Sequence, residues 1–274
     1  MINRFAAPYV FSFALIVVFI LSSVSFAAHP LITDDTGTQG KGNFQVEINA
    51  EYGYDKETEE AEDSEEEITV KEAGTEVAGI LSYGITDSID IVFGIPYQWN
   101  KAWEDGDTTS DDNGVSDMSL ELKWRFYEFE GLSLALKPGV TFPTGDEDNG
   151  LGSGRMSSGI TFITTKETGP WAFHLNLAYT HNEYELEEDK DANRKDIWHV
   201  SLASQIDVMK DLTVVANIGV ERNADRESNT HPAFLLGGLI YSLSENIDID
   251  FGYKAGLNKP ETDYTILAGI NFRS

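Results

Sequence analysis

The 274-residue sequence contains no cysteine, which excludes disulfides, zinc–thiolate sites and thiol nucleophiles. It is also poor in bases, with 19 Lys and Arg against 47 Asp and Glu, for a net charge of -28. This excess of negative charge excludes a broad electrostatic attraction to nucleic acid. Only one apolar run approaches the length of a membrane helix, and the mean hydropathy is -0.27. The single apolar run and the low mean hydropathy both argue against a bundle of transmembrane helices.

The N-terminus has the three parts of a secretory signal. A basic residue precedes an apolar run over residues 10–21, and Ser25 and Ala27 are small residues at the two positions that a signal peptidase reads. The run is short for a spanning helix, which needs ~20 apolar residues. We therefore predict a cleaved signal peptide over residues 1–27 and a periplasmic N-terminal segment over residues 28–42. A retained membrane anchor is the alternative.

The rest of the chain alternates between apolar and polar residues with the period of a β-strand. In residues 44–54, large apolar side chains take every second position, and Gln, Glu and Asn take the positions between them. The pattern recurs and predicts twelve strands, most of them slightly longer than the ~9–11 residues that cross a bilayer at a tilt. The predicted strands cover residues 43–54, 74–85, 88–99, 115–127, 131–143, 154–166, 170–181, 196–208, 211–222, 232–243, 246–257 and 263–273.

Short turns and long links alternate strictly between these strands. The long links cover residues 55–73, 100–114, 144–153, 182–195, 223–231 and 258–262. Bacterial outer-membrane barrels have this asymmetry, with short periplasmic turns and long outer loops. We therefore predict an all-β fold: a transmembrane up-and-down antiparallel β-barrel of about 12 strands over residues 43–274. Aromatic residues near the strand ends match the two girdles of such a barrel. A periplasmic β-sandwich that binds a ligand or partner is the alternative.

Several short runs resemble one family. They are HPLITDDTGTQG at residues 29–40, SYGITD at 82–87, GIPY at 94–97 and PTG at 143–145. Together they resemble the outer-membrane transporter family labelled "MetA-pathway of phenol degradation", across nearly the whole mature chain. The resemblance implies a β-barrel in the outer membrane of a Gram-negative cell, with a transport role linked to aromatic catabolism and no catalytic residues. One departure is that Arg273 and Ser274 follow Phe272, whereas such barrels usually end on an aromatic residue.

If the apolar face meets lipid, the polar face lines the lumen, and its charges fall unevenly. A basic arc consists of Lys123, Arg125, Lys137 and Arg155. We expect this arc to line a narrow polar passage for small solutes, aromatic or anionic ones among them. The alternative is a plugged, structural barrel in which interior charges pair with one another. The candidate lumen-lining residues are Glu47, Glu51, Glu76, Asp90, Glu121, Lys123, Arg125, Lys137, Arg155, His174, His199, Glu221, Asp248, Asp250 and Lys254.

The long links are strongly acidic, with nine acids between Asp55 and Glu67. Clustered carboxylates can bind divalent cations loosely, as at a surface rich in lipopolysaccharide. Mobile loops kept soluble by charge are the simpler interpretation, which we prefer. The expected partners are outer-membrane lipid and lipopolysaccharide, a small-molecule permeant and such loosely bound cations.

A lipid hydrolase is the remote alternative. Some twelve-stranded outer-membrane barrels are hydrolases with a Ser and a His two residues apart on one strand. His199 and Ser201 have that spacing, and Asn217 could orient the His. The trio points to the lumen, however, while a phospholipid would reach the opposite face. We therefore predict no enzymatic activity, no metal site and no cofactor.

Overall fold

The computed structural model describes residues 29–60 and 67–274, which form a closed antiparallel barrel. Neighbouring strands pair in chain order, and β1 pairs with β13, so that the sheet closes on itself. The described strands are β1 (Phe44–Glu60), β2 (Glu67–Thr86), β3 (Ile89–Glu104), β4 (Asp107–Val115), β5 (Met118–Phe129), β6 (Leu132–Phe142), β7 (Ser157–Thr168), β8 (Trp171–His181), β9 (Asp196–Met209), β10 (Leu212–Glu221), β11 (Ala233–Ser244), β12 (Ile247–Gly256) and β13 (Tyr264–Arg273).

Twelve strands make the barrel wall, which confirms the predicted architecture, and β4 is an additional strand. It lies in the link 100–114, which we expected to be a loop. The chain reverses at Asp105 and Gly106, whose φ angles are 49° and 96°. These are the left-handed conformations of a two-residue hairpin turn, for which Asp-Gly is a strong signal. The residues of β4 are mostly polar, so the sequence shows no apolar alternation there. The strand forms because it pairs with the second half of β3.

Two short helical turns lie in other links that we predicted. They are α1 (Glu187–Ala192) and a 3-10 turn (Glu147–Asn149). Within the two described ranges, no helix has both the length and the apolar character needed to cross a membrane. The predicted signal peptide, residues 1–27, and the middle of the most acidic link, residues 61–66, lie outside the described residues.

The outer face of the barrel is apolar. On β12, Phe251 is 54% exposed, whereas its neighbour Asp250 is 9% exposed and faces inward. Large exposed apolar side chains occupy the same outward positions on most wall strands, Leu122 on β5 among them. A belt of this kind is unfavourable in water and favourable against lipid chains. The apolar and polar positions predicted from the sequence therefore correspond to the lipid face and the inner face of the barrel.

Aromatic rings close the seam between the first and last strands at both ends. Phe44 and Phe272 are 6.1 Å apart between ring centroids at the short-turn end. Tyr54 and Tyr264 stack at 5.5 Å at the long-loop end. Ser274 then donates from its backbone to Phe44, so the two residues after the last aromatic extend the seam rather than interrupt it.

The interior of the barrel is polar and contains most of residues 29–42, which we call the N-terminal segment. Thr33, Asp35 and Thr36 are at most 2% exposed, although they precede the first strand. We expected residues 28–42 to lie on the periplasmic side of the barrel. The described part instead folds back into the lumen, because its backbone finds hydrogen-bond partners on the inner wall.

The sequence of β11 is apolar on both faces, and the N-terminal segment explains this. Leu235 faces outward and is 51% exposed, whereas Phe234 and Leu236 are buried. The buried pair packs with Leu267 of β13, and Leu31 of the N-terminal segment packs against this cluster. The second apolar face of β11 thus gives the segment a hydrophobic anchor.

Candidate functional site: the barrel lumen

Two asparagines on the inner wall bind the backbone of the N-terminal segment. Asn217 on β10 accepts from the N–H groups of Ile32 (2.9 Å) and Thr33 (3.0 Å) and donates to the Thr33 hydroxyl (2.7 Å). With its side-chain amide oriented so that both groups are paired, Asn176 on β8 accepts from the Asp34 N–H (2.6 Å) and donates to the Asp34 backbone oxygen (2.9 Å). Buried backbone N–H and C=O groups must be paired. The two side-chain amides supply the hydrogen bonds that a neighbouring strand would otherwise give to the backbone of the segment.

Hydroxyl groups extend the docking along the same wall. The Thr33 hydroxyl donates to Ser201 on β9 at 2.7 Å. The Thr36 N–H donates to the hydroxyl of Thr165 on β7 at 3.1 Å, and the Thr36 hydroxyl bonds to Ser133 on β6. The wall residues in these contacts are neutral, so the segment is docked on this side without charge pairing.

Two lysines, one on β5 and one on β6, converge on the Asp34 side chain. Lys123 Nζ lies 2.8 Å from one carboxylate oxygen and Lys137 Nζ lies 2.9 Å from the other. Lys137 also lies 3.2 Å from Glu121, and Lys123 lies 3.6 Å from Asp35. These side chains are largely removed from solvent, where an unpaired charge is costly. The network therefore fixes the segment to β5 and β6.

The two ends of the segment reach other strands. His29 Nδ1 lies 2.6 Å from the Asp250 carboxylate on β12, and His29 Nε2 lies 3.8 Å from Glu51 on β1. The Gln39 N–H donates to Asp90 on β3 at 2.8 Å. The segment therefore crosses the lumen from β12 to β3.

A cavity of about 290 Å³ remains between the segment and the wall formed by β1, β2, β3, β5 and β6. On β1, successive inward positions from Gln45 to Glu51 line it, which corresponds to ~20 Å along the strand. Ile80 and Val92 contribute apolar surface among the polar lining groups. The segment thus occupies one side of the lumen and leaves an elongated space along the other.

The structure brings six of the predicted lumen residues around this cavity. They are Glu47, Glu51, Asp90, Glu121, Lys123 and Lys137. Two more lie on the inner wall near the segment. His174 is 1% exposed and bonds to Thr165 at 2.9 Å, and Asp250 holds His29.

The remaining acids and Lys254 are paired elsewhere. Asp248 lies 2.6 Å from Arg273 beside the seam, and Lys254 lies 2.6 Å from Glu261. Glu76 accepts from Gln98 at 2.8 Å. The side chain of Glu221 is 48% exposed and lies 3.3 Å from His199, near the long-loop rim.

The predicted basic arc is not one surface. Arg125 lies at the short-turn rim, where it donates to the backbone oxygen of Asp87 at 3.2 Å and lies 3.3 Å from Glu128. Its position near the end of β5 takes it away from the paired lysines deeper in the lumen.

Arg155 lies outside the wall altogether. We predicted a strand from residue 154, but β7 begins at Ser157 because Gly154 has a φ of 65° and turns the chain. The Arg155 side chain is 56% exposed and pairs with Glu185 in a long loop. It therefore takes no part in the lumen.

The residues weighed as a hydrolase trio have other partners. Asn217 binds Ile32 and Thr33, and Ser201 accepts from Thr33. His199 lies beside Glu221. Ser201 and Asn217 therefore dock the N-terminal segment, and Asn217 does not orient the His.

The residues missed by sequence reasoning are those of the segment itself, above all Asp34. The sequence pattern does not identify Asp34 as the counter-charge of Lys123 and Lys137. Two signals were available: the apolar inner face of β11 lacked a partner, and the lysines had only Glu121 beside them. The N-terminal segment supplies both missing partners, Leu31 for the apolar face of β11 and Asp34 for the two lysines.

A local ion pair lies in the long loop between β8 and β9. Lys195 Nζ donates to Glu183 at 2.6 Å and holds the pKa of that carboxyl below its ordinary value. Within the described ranges, no cluster of three or more His, Asp or Glu side chains is arranged to hold a metal ion.

Solved structures with the same fold are outer-membrane proteins. An outer membrane channel from Pseudomonas putida F1 is 15% identical, with a TM-score of 0.66 over 88% of this chain and 98% of that one. The NanC porin is 11% identical, with a TM-score of 0.53 over 83% and 98%. The KdgM porin is 7% identical, with a TM-score of 0.50 over the same shares. No protein among curated sequences matches this chain.

A family model matches residues 30–274, which is nearly all of the described chain. The match begins within the N-terminal segment and includes the whole barrel. Together with the closed barrel and its apolar outer face, it confirms the predicted family and the outer-membrane location. The chain belongs to the family described as "Putative MetA-pathway of phenol degradation", and it is an outer-membrane β-barrel.

Proposed function

We propose that this barrel is a passive channel for small solutes, and that solutes pass beside the docked N-terminal segment. The observation that carries the proposal is the elongated cavity along β1, between the segment and the opposite wall. Its volume of about 290 Å³ is many times the ~10–15 Å³ that one buried water requires. The segment limits the size of what passes, and in this proposal the chain catalyses no reaction.

The lining supports a route for water-soluble molecules. Polar side chains along β1 exchange hydrogen bonds with a moving solute, while Ile80 and Val92 offer a small apolar surface. Such a mixed lining suits compact solutes that have both polar and apolar parts, small aromatic molecules included. The names of the similar structures, a channel and two porins, agree with passive transport.

A structural barrel without transport is the second candidate. The docking of the segment favours it, since Asp34 bridges Lys123 and Lys137 and would block a central pore. The two candidates differ in whether the space along β1 is continuous from one side of the membrane to the other.

Liposome swelling separates them. Vesicles containing the refolded mature protein are placed in isotonic solutions of uncharged solutes of increasing size. A channel through a cavity of about 290 Å³ should admit the smallest solutes fastest, and the rate should fall as solute size increases. No swelling above that of protein-free vesicles with any solute would refute the channel and leave the structural barrel.

A further inference from the structure

We infer that the passage prefers cations to anions. The N-terminal segment neutralises the lysines of the lumen, whereas among the described residues Glu47 on β1 has neutral partners and Glu51 has His29, at 3.8 Å. The inference rests on the proposed channel function and specifies which class of solute it admits. It reverses the expectation of an anion-binding arc.

The lysines are not available to a passing anion. Asp34 lies within 2.9 Å of both Lys123 and Lys137, and its carboxylate uses one oxygen for each. Asp35 and Glu121 add a second acid beside each lysine. An incoming carboxylate would have to displace a partner that is tethered within the same chain and already in place.

The acids of β1 have no comparable partners among the described residues. Glu47 accepts only from neutral amides, at 2.7 Å from Gln45 and 3.3 Å from Asn49. Glu51 has His29 at 3.8 Å as its nearest basic group. Both carboxylates line the cavity at inward positions of one strand. They therefore present negative charge along the length of the proposed route.

Asp90, near the short-turn end of β3, adds a third acid to the lining of the cavity. It is 2% exposed, and its Oδ2 accepts from the Gln39 N–H. Its Oδ1 has no hydrogen-bond partner among the described residues. A mobile cation or a water shared with one would satisfy this oxygen, which makes Asp90 a second, independent sign of a site for positive charge.

The whole lining has six acids against two lysines, with His29 as the other basic group. The acids are Asp34, Asp35, Glu47, Glu51, Asp90 and Glu121. In a narrow passage with walls of low dielectric constant, such an excess concentrates the field and raises the local concentration of cations. Small inorganic cations and organic ammonium ions are the favoured permeants, neutral solutes pass unaided, and anions are disfavoured.

The test is the reversal potential of the full mature chain in planar bilayers under a KCl gradient. The wild type should give a permeability ratio of K⁺ to Cl⁻ above one. The Glu47→Gln/Glu51→Gln variant should move that ratio toward one, because it removes both carboxylate charges of β1 and keeps the side-chain shape. Glu245→Gln, in an exposed short turn, is the matched control and should leave the ratio unchanged.

The outcomes separate this inference from the channel itself. Conductance with a ratio at or below one would overturn the cation preference and leave the channel standing. A cation preference that survives in the double variant would overturn the assignment to β1. Absence of any conductance in the wild type would overturn both. The wild-type ratio alone decides the preference if the double variant fails to fold, and the single variants Glu47→Gln and Glu51→Gln then test the assignment.

Discussion

Replacing Asn217 with leucine should weaken the docking of the N-terminal segment while the barrel stays folded. Asn217 makes three hydrogen bonds to the segment, two to backbone N–H groups and one to the Thr33 hydroxyl. At ~0.5–1.5 kcal/mol net for each bond, the loss is about 3 kcal/mol of docking free energy. That corresponds to an increase on the order of 100-fold in the undocked population. Leucine also loses the bond from the Asn217 amide to the Leu202 backbone oxygen at 3.0 Å. The backbone pairing of this position with Ala203 and Leu236 is kept.

The assay is thiol labelling at Thr36, which is 2% exposed in the docked segment. Because the chain has no cysteine, Thr36→Cys gives a single reporter for a water-soluble reagent. Labelling should accelerate on the order of 100-fold when Asn217→Leu is added, the population change worked out above. Thr161→Val is the control, since Thr161 lies on the same inner wall and has no hydrogen bond to the segment among the described residues. Equal labelling rates with and without Asn217→Leu would refute the docking scheme.

Two further predictions concern the membrane. Leu122→Arg, on the lipid face, should destabilise the barrel by roughly 2–4 kcal/mol in equilibrium unfolding from vesicles. Ser110→Arg, on the β3–β4 hairpin, is the control and should change the free energy of unfolding little. Equal losses of stability would mean that the assigned faces are wrong. Cysteines at Ser110 and Ala192 should react with a membrane-impermeant reagent on intact cells, and one at Ser244 should not. Labelling at Ser244 alone would invert the topology.

Much of the barrel was predictable because its determinants are local. Alternation along a strand and the length of each hairpin link are read within about twenty residues, and together they specify an up-and-down barrel. The extra strand β4 departs from this rule. Its residues are polar, and it is stabilised by pairing with β3 across the Asp105–Gly106 turn rather than by an apolar face.

The interior was harder to predict because its contacts join residues that are distant in sequence. Lys123 and Asp34 are 89 residues apart, and Asn217 and Thr33 are 184 apart. Alternation shows that the lysine faces inward, but it does not show what it faces. The same limit explains Ser133, which reads as an ordinary polar wall residue and in the structure contacts Thr36.

Arg155 illustrates a different source of error. An inward position was inferred from counting along a strand that begins too early, so a boundary shift of three residues moved the side chain from the lumen to a loop. The left-handed conformation at Gly154 sets that boundary. Period-two arguments are therefore weakest at strand ends, where a turn residue resets the alternation.

The most direct test of the proposed route is to lock the segment in place and measure transport. The hydroxyl oxygens of Thr33 and Ser201 are 2.7 Å apart, so cysteines at both positions should form a disulfide during export through an oxidising compartment. Because solutes are proposed to pass beside the docked segment, the locked barrel should swell liposomes at the same rate before and after reduction. Swelling that appears only after reduction would contradict the account, since it would mean that solutes pass only when the segment leaves the wall.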